Sequence, residues 1–157
     1  MKISLLCIGK TDESFVRDGI DNYLKRLKHY TSFDITVIPD IKNSKNLSQD
    51  QQKAKEGELL LKHLNNSDVV VLLDERGKDF RSVDFARFLE QKMIGSVQRL
   101  VFIIGGPYGF SSDIYARANQ QLSLSKMTFS HQMIRLFFVE QVYRGFTILR
   151  GEPYHHE

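Results

Sequence analysis

Apolar and polar positions along this chain follow two rhythms. Short apolar runs at 3–8, 33–38, 68–73 and 99–104 have strand length, and beyond their first residues the last two contain almost nothing but Val, Leu, Ile and Phe. Runs without polar alternation predict strands covered on both faces, as in a parallel sheet. A weaker strand is predicted at 121–124. Between the runs, apolar residues recur at helical spacing over 12–30, 48–64, 82–94, about 111–119 and about 131–149. In the first helix Phe15, Ile20, Tyr23, Leu24 and Leu27 fall near one face, with Thr11 or Asp12 as the expected cap. Ser48 is the expected cap of the second, and Val83, Phe85, Ala86, Phe88 and Leu89 of the third point to the core. Alternating strands and helices argue for an α/β domain with a mostly parallel sheet. The turn-rich stretch 40–48 reads as a surface connection, so residues 1–157 form one domain.

The last helix departs from the amphipathic rule. Met133, Ile134, Leu136, Phe137, Phe138, Val139, Val142, Tyr143, Phe146, Ile148 and Leu149 cover most of its circumference. A helix apolar nearly all round needs cover on every side, and a second subunit is the expected source of part of it.

Composition narrows the function classes. A net charge of +3 permits a polyanionic partner without demanding one. No apolar run reaches the roughly 18 residues of a membrane span. The first ten residues alternate like a strand and lack the length of a signal peptide. The single cysteine, Cys7, fits a reducing cytoplasm and reads as a buried small hydrophobe rather than a nucleophile.

Ligands of parallel α/β sheets sit beyond the carboxyl ends of the strands. Those ends here are the segments 73–77 (LDERG), 105–109 (GGPYG) and 124–128 (LSKMT). Gly105 and Gly106 let backbone approach a ligand closely. Dinucleotide and P-loop fingerprints, zinc-type Cys/His spacing and a Gly-x-Ser-x-Gly elbow are all missing, so neither a phosphate cradle nor a metal is expected. A neutral pocket built from loops suits a flat, partly apolar ligand such as an adenosine moiety. Ser130 is placed to cap the last helix. His131 and Arg135 share a face behind that cap and offer a phosphate site. Glu140 and Arg144 form an i,i+4 pair.

Several motifs together resemble a known family. They are Gly105-Gly106-x-x-Gly109, the run 122–129 (LSLSKMTF), His131-Gln-Met-x-Arg135, Glu140-Gln-x-Tyr-Arg144 and the ending 150–155 (RGEPYH). The chain is similar, over essentially its whole length, to the small SPOUT-class methyltransferases that modify pseudouridine in bacterial large-subunit ribosomal RNA. The resemblance implies a C-terminal trefoil knot, which connection rules alone would exclude. It implies a homodimer in the cytoplasm, with S-adenosylmethionine held by Leu73, Gly105, Leu124, Ser125, Lys126, Met127, Thr128 and Phe129. The implied reaction is methylation at N3 of a pseudouridine in ribosomal RNA, on assembled ribosomes rather than on DNA or free RNA. Where the family commonly has proline before the histidine, this chain has Ser130.

The N3 proton must leave during such a reaction. His131, Glu140, Tyr154 and His155 are the candidates to assist, and Arg135 is the candidate for gripping RNA phosphate. His156 and Glu157 carry no assigned role. The rival expectations are a ribosome-associated binding module that keeps the fold without the chemistry, and a nucleotide-binding enzyme of unrelated reaction.

Overall fold

The computed structural model describes residues 1–157. Five strands form one sheet: β1 Lys2–Ile8, β2 Ser32–Ile38, β3 Val69–Asp79, β4 Arg99–Ile104 and β5 Gln120–Ser123. Their order is β2-β1-β4-β3-β5, and every neighbouring pair is parallel. The helices are α1 Ser14–Leu27, α2 Gln49–Leu61, α3 Ser82–Ile94, α4 Ser112–Arg117 and α5 His131–Leu149.

Both faces of the sheet are covered, which is why its central strands read as unbroken apolar runs. Ile3, Leu5 and Cys7 of β1 face α1, α3 and α5, together with Leu100, Phe102 and Ile104 of β4. Leu6 and Ile8 face the opposite way with Val101 and Ile103, toward Leu60 of α2 and Ile114 of α4. Cys7 is fully buried, and burial pushes its thiol up to about 11, so it serves as packing.

Three expectations need correction. Helix α1 begins at Ser14 with Glu13 at its cap position, and no side chain caps it. Thr11 and Asp12 are engaged elsewhere: the Thr11 hydroxyl accepts from Arg135, and the Asp12 backbone N–H donates to Gln132, both on α5. Long-range contacts have overridden the local cap. Phe15 is also misplaced, 59% exposed, while Val16 fills the core position with Ile20 and Leu27. Finally, the segment after Leu73 is not a simple loop. Strand β3 continues to Asp79 through an irregularity in which Leu73 and Lys78 both pair with Leu122 of β5.

That irregularity depends on Gly77. A Cβ there would lie 2.5 Å from the Leu122 backbone nitrogen, so no side chain fits between the displaced part of β3 and β5. The Asp74 carboxylate accepts from the Arg76 backbone N–H at 3.0 Å and holds the chain in its turn.

The cover of α5 comes mostly from its own chain. The helix is packed against both α1 and α3, with Phe138, Val139 and Val142 fully buried against the sheet. The C-terminal tail covers part of the remaining strip, where the Tyr154 ring meets that of Tyr143 edge-on at 4.8 Å. Phe137 stays 38% exposed. As expected, Ser130 caps the helix and accepts from the Met133 N–H, and Ser48 with Gln51 forms a full capping box on α2.

Candidate functional site

The ends of β3, β4 and β5 gather the three predicted segments. Leu73 pairs with Ile104 on one side and Leu122 on the other, which places it between the last two loops. After β4, Gly106 and Gly109 close a tight turn with a 3.2 Å backbone bond, and Gly109 takes the φ of +85° that favours glycine. After β5, the loop is shaped by its own serines. The Ser123 hydroxyl donates to the Ser125 carbonyl, and the Ser125 hydroxyl accepts from the Met127 N–H, each at 2.9 Å. Met127 then projects into solvent, 77% exposed, and Phe129 leans on Phe137 with ring centres 4.8 Å apart.

A cavity of about 290 Å³ opens beside this last loop. Leu122, Ser123, Leu124, Ser125 and Phe129 line one wall, and Phe80, Ser82, Phe85, Phe137 and Gln141 the other. Among the predicted cofactor contacts, Leu124, Ser125 and Phe129 therefore share one cavity. Leu73, Gly105, Lys126, Met127 and Thr128 stand outside its lining. Lys126 is engaged in an exposed 3.8 Å pair with Asp79.

The predicted catalytic residues separate into two groups. Glu140, Tyr154 and His155 meet on the outer strip of α5. Oε1 of Glu140 accepts from Arg144 at 2.6 Å and from the Tyr154 hydroxyl at 2.9 Å, and Oε2 accepts from the Gln141 amide at 2.9 Å. Both oxygens are thus committed, which makes Glu140 a hub. Arg144 does more than pair with it: the guanidinium sits 4.7 Å from the centre of the Tyr154 ring and donates to Nδ1 of His155 at 3.2 Å. Since Arg144 can only donate, Nδ1 is the acceptor and the neutral ring carries its proton on Nε2. That Nε2 is buried without a hydrogen-bond partner. Burial and hydrogen bonds to Tyr23 and Glu140 push the Tyr154 hydroxyl far above its usual pKa, so it stays protonated. The cluster reaches the cavity wall through Gln141, whose amide oxygen accepts from Ser82 at 2.8 Å.

His131 and Arg135 lie at the other end of α5. Nine residues of helix put His131 roughly 14 Å along the axis from Glu140. Its pKa is lowered by desolvation and then by the Arg135 charge, so the ring is neutral at physiological pH. Arg135 corrects an expectation. It is 2% exposed, and its guanidinium donates to the backbone carbonyls of Ile8 and Gly9 at 2.7 and 2.8 Å. These contacts close the end of β1 and leave it no way to grip an RNA phosphate. Sequence reading missed Gln141, Ser82 and Tyr23. It also missed Gln132, which binds the loop before α1 through Lys10 and Asp12. Each is a common polar residue whose partner lies far away in sequence.

Comparison with known proteins agrees with this architecture. The family model described as "Predicted SPOUT methyltransferase" matches residues 1–155. The ribosomal RNA large subunit methyltransferase H of Phocaeicola vulgatus is 62% identical over 157 residues, covering 100% of both chains. The protein of the same name from Flavobacterium johnsoniae is 60% identical, again over 100% of both. Among solved structures, a probable methylase family protein from Haemophilus influenzae matches with a TM-score of 0.50 at 12% identity, covering 99% of this chain and 70% of that one, a likeness of fold alone. With a family model spanning nearly all of its length and relatives near 60% identity end to end, this chain belongs to the SPOUT methyltransferase family.

Proposed function

We propose that this protein methylates N3 of a pseudouridine in large-subunit ribosomal RNA, using S-adenosylmethionine on the assembled ribosome in the cytoplasm. The observation that carries the reading is end-to-end identity near 60% with relatives named for ribosomal RNA large subunit methylation, joined to a cavity walled by the Leu122–Ser125 run.

The residues fit the cofactor. The cavity sets apolar side chains such as Phe85, Leu124 and Phe129 beside a few polar ones, Ser82, Ser125 and Gln141, a lining suited to an adenosine group. Leu73, Gly105 and the run 124–129 would hold it, as the family resemblance implies. When bound, it supplies an electrophilic methyl group on a sulfonium. The trefoil knot belongs to the same reading. It is implied by membership of the SPOUT family.

The residues of this chain then divide the remaining work. His131, neutral at working pH, is the candidate to take the N3 proton. Its exposed place at the start of α5 leaves it open to substrate. The Tyr154 hydroxyl is committed to Glu140 and helps fix the tail, and the His155 Nε2–H, the donor of this cluster left without a partner, is the candidate to meet a uracil carbonyl and stabilise the anion left when the proton departs. Glu140 and Arg144 position that pair. With the cofactor bound, its methyl group would pass to N3 and the carbon–sulfur electron pair would leave with the thioether, so positioning by these residues would supply much of the rate. A homodimer completes the reading, with the tail of one subunit closing the pocket of its partner. The exposed rings of Phe129 and Phe137, packed on each other, and of Phe15 on α1 support such a contact.

The test is transfer of labelled methyl to ribosomes from a strain lacking the enzyme, with mapping of the product. Label at a pseudouridine of the large-subunit RNA is expected, together with far weaker labelling of a naked hairpin. Absence of cofactor binding would leave the non-catalytic ribosome-binding module as the better account.

A further inference from the structure

Residues 74 and 115 carry a contact that the proposed reaction does not use. Tyr115 stands one turn into α4, and its hydroxyl donates to Oδ2 of Asp74. The other oxygen of Asp74 accepts from the Arg76 N–H and sets the turn by which β3 steps past β5. One carboxylate therefore holds two things at once: the displaced segment 74–77, which begins directly after Leu73, and the helix that follows the Gly105–Gly109 turn.

Both ends of this connection are rigid. Ser111 caps α4, accepting from the Ile114 N–H, and Arg117 at its far end donates to the carbonyls of Asn65 and Asp68 at 2.7 and 3.0 Å. Tyr115 is also packed edge-on against Phe110, ring centres 5.8 Å apart. Anchored in this way, its hydroxyl fixes where Asp74 sits, and Asp74 fixes where the chain leaves Leu73. Gly77 then presses the same segment onto the Leu122 backbone, at the root of the Ser123–Phe129 loop. The other two loops are reached through packing: Tyr115 meets Phe110, whose ring lies against Gly105, and Gly77 meets Leu122, two residues before the 124–128 segment.

We infer that Asp74 and Tyr115 form a latch that sets the spacing of the three cofactor loops, so that Asp74 and Tyr115 are positioning residues for cofactor affinity. Burial and the Asp74 carboxylate raise the Tyr115 hydroxyl to about 12, so the latch keeps its proton across the working pH range. The inference rests on the methyltransferase reading.

The test measures S-adenosylmethionine binding by calorimetry for the wild type, Tyr115→Phe, Asp74→Asn and the double variant, beside thermal melts and steady-state kinetics. Hydrogen bonds to charged groups are worth about 1.5–3 kcal/mol, so each single variant is expected to bind cofactor roughly 10- to 100-fold more weakly. KM for the cofactor should rise while KM for ribosomes stays constant. The double variant should be no weaker than the worse single, because both changes act on one contact. A merely structural contact would lower the melting temperature and leave cofactor affinity alone. Wild-type binding matched within twofold by both folded single variants overturns the latch. Should Tyr115→Phe not fold, Asp74→Asn decides alone: its amide oxygen still accepts from Arg76, and its NH2 replaces the charged bond to Tyr115 with a weaker neutral one. No binding by the wild type overturns the cofactor reading itself, and the latch falls with it.

Discussion

Glu56 is the least comfortable residue in the molecule. It is 3% exposed on α2, with Oε1 lacking any partner, and its carboxylate packs so close to Gly106 that a Cβ there would lie 2.4 Å from it. Desolvation, opposed by a hydrogen bond from Gln52 and reinforced by the nearby negative Asp40, raises its pKa. The folded state therefore holds this proton more tightly than the unfolded state does. The stability it contributes is complete below the ordinary glutamate value and is lost as pH rises through the folded value. Glu56→Gln should remove the penalty. Differential melts should show the variant more stable at neutral pH by a few degrees, about 1–3 kcal/mol, and indistinguishable from wild type near about pH 4. A parallel pH profile for the two proteins would show that the carboxyl does not titrate in this range. Nothing in the local sequence marks Glu56, because its neighbours Lys55 and Gly57 suggest an ordinary solvated helix face. Only the packing of α2 under the glycine turn buries it.

At the scale of elements, the passage of β3 beside β5 is the most constrained feature. Gly77→Ala would place a methyl group within contact of Leu122 and Gln121 backbone on a neighbouring strand, where no flexible side chain can yield. Overpacking of this kind costs about 1–3 kcal/mol. The variant should melt several degrees lower and lose cofactor affinity, as read by thermal shift with and without S-adenosylmethionine. A melt unchanged from wild type would mean that β5 can move aside. This region also marks the limit of what the sequence discloses. The runs 68–73 and 99–104 gave their strands readily, because burial on both faces leaves an unbroken apolar signature. The continuation of β3 through Asp74–Asp79 is polar and glycine-containing, and its strand character arises only from pairing with a segment more than forty residues later. The start of α1 was misread for the same reason: Thr11 and Asp12 have cap-forming side chains, but contacts from α5 engage that loop. In the site, the loops at the strand ends were legible from topology. The commitment of Arg135 to backbone carbonyls was not, because residue type reveals charge but not burial.

At the scale of the whole molecule, a net charge of +3 is too small to drive tight binding to naked RNA. On the proposed reading, recognition comes from shape, by a dimer seated on a preformed ribosomal surface, and the tail serves that assembly. Deleting residues 153–157 removes Tyr154 and His155 but leaves Glu140, Arg144 and the cavity wall in place. The truncated protein should bind cofactor within a few-fold of wild type and lose methylation on the order of 100-fold or more. Methylation at the normal rate with cofactor binding intact would remove the tail from the reaction. The Arg135 contacts also have a meaning for biosynthesis. They join Gly9 to a residue 126 positions further along the chain, and Gln132 is hydrogen-bonded to Asp12 over 120 positions. The first strand is made early, yet its carbonyl end has no seal until the last helix has left the exit tunnel. Until α5 emerges, the nascent chain is therefore an open sheet waiting for its closing piece, and the fold cannot be sealed until every residue from Gly9 to Arg135 has been made.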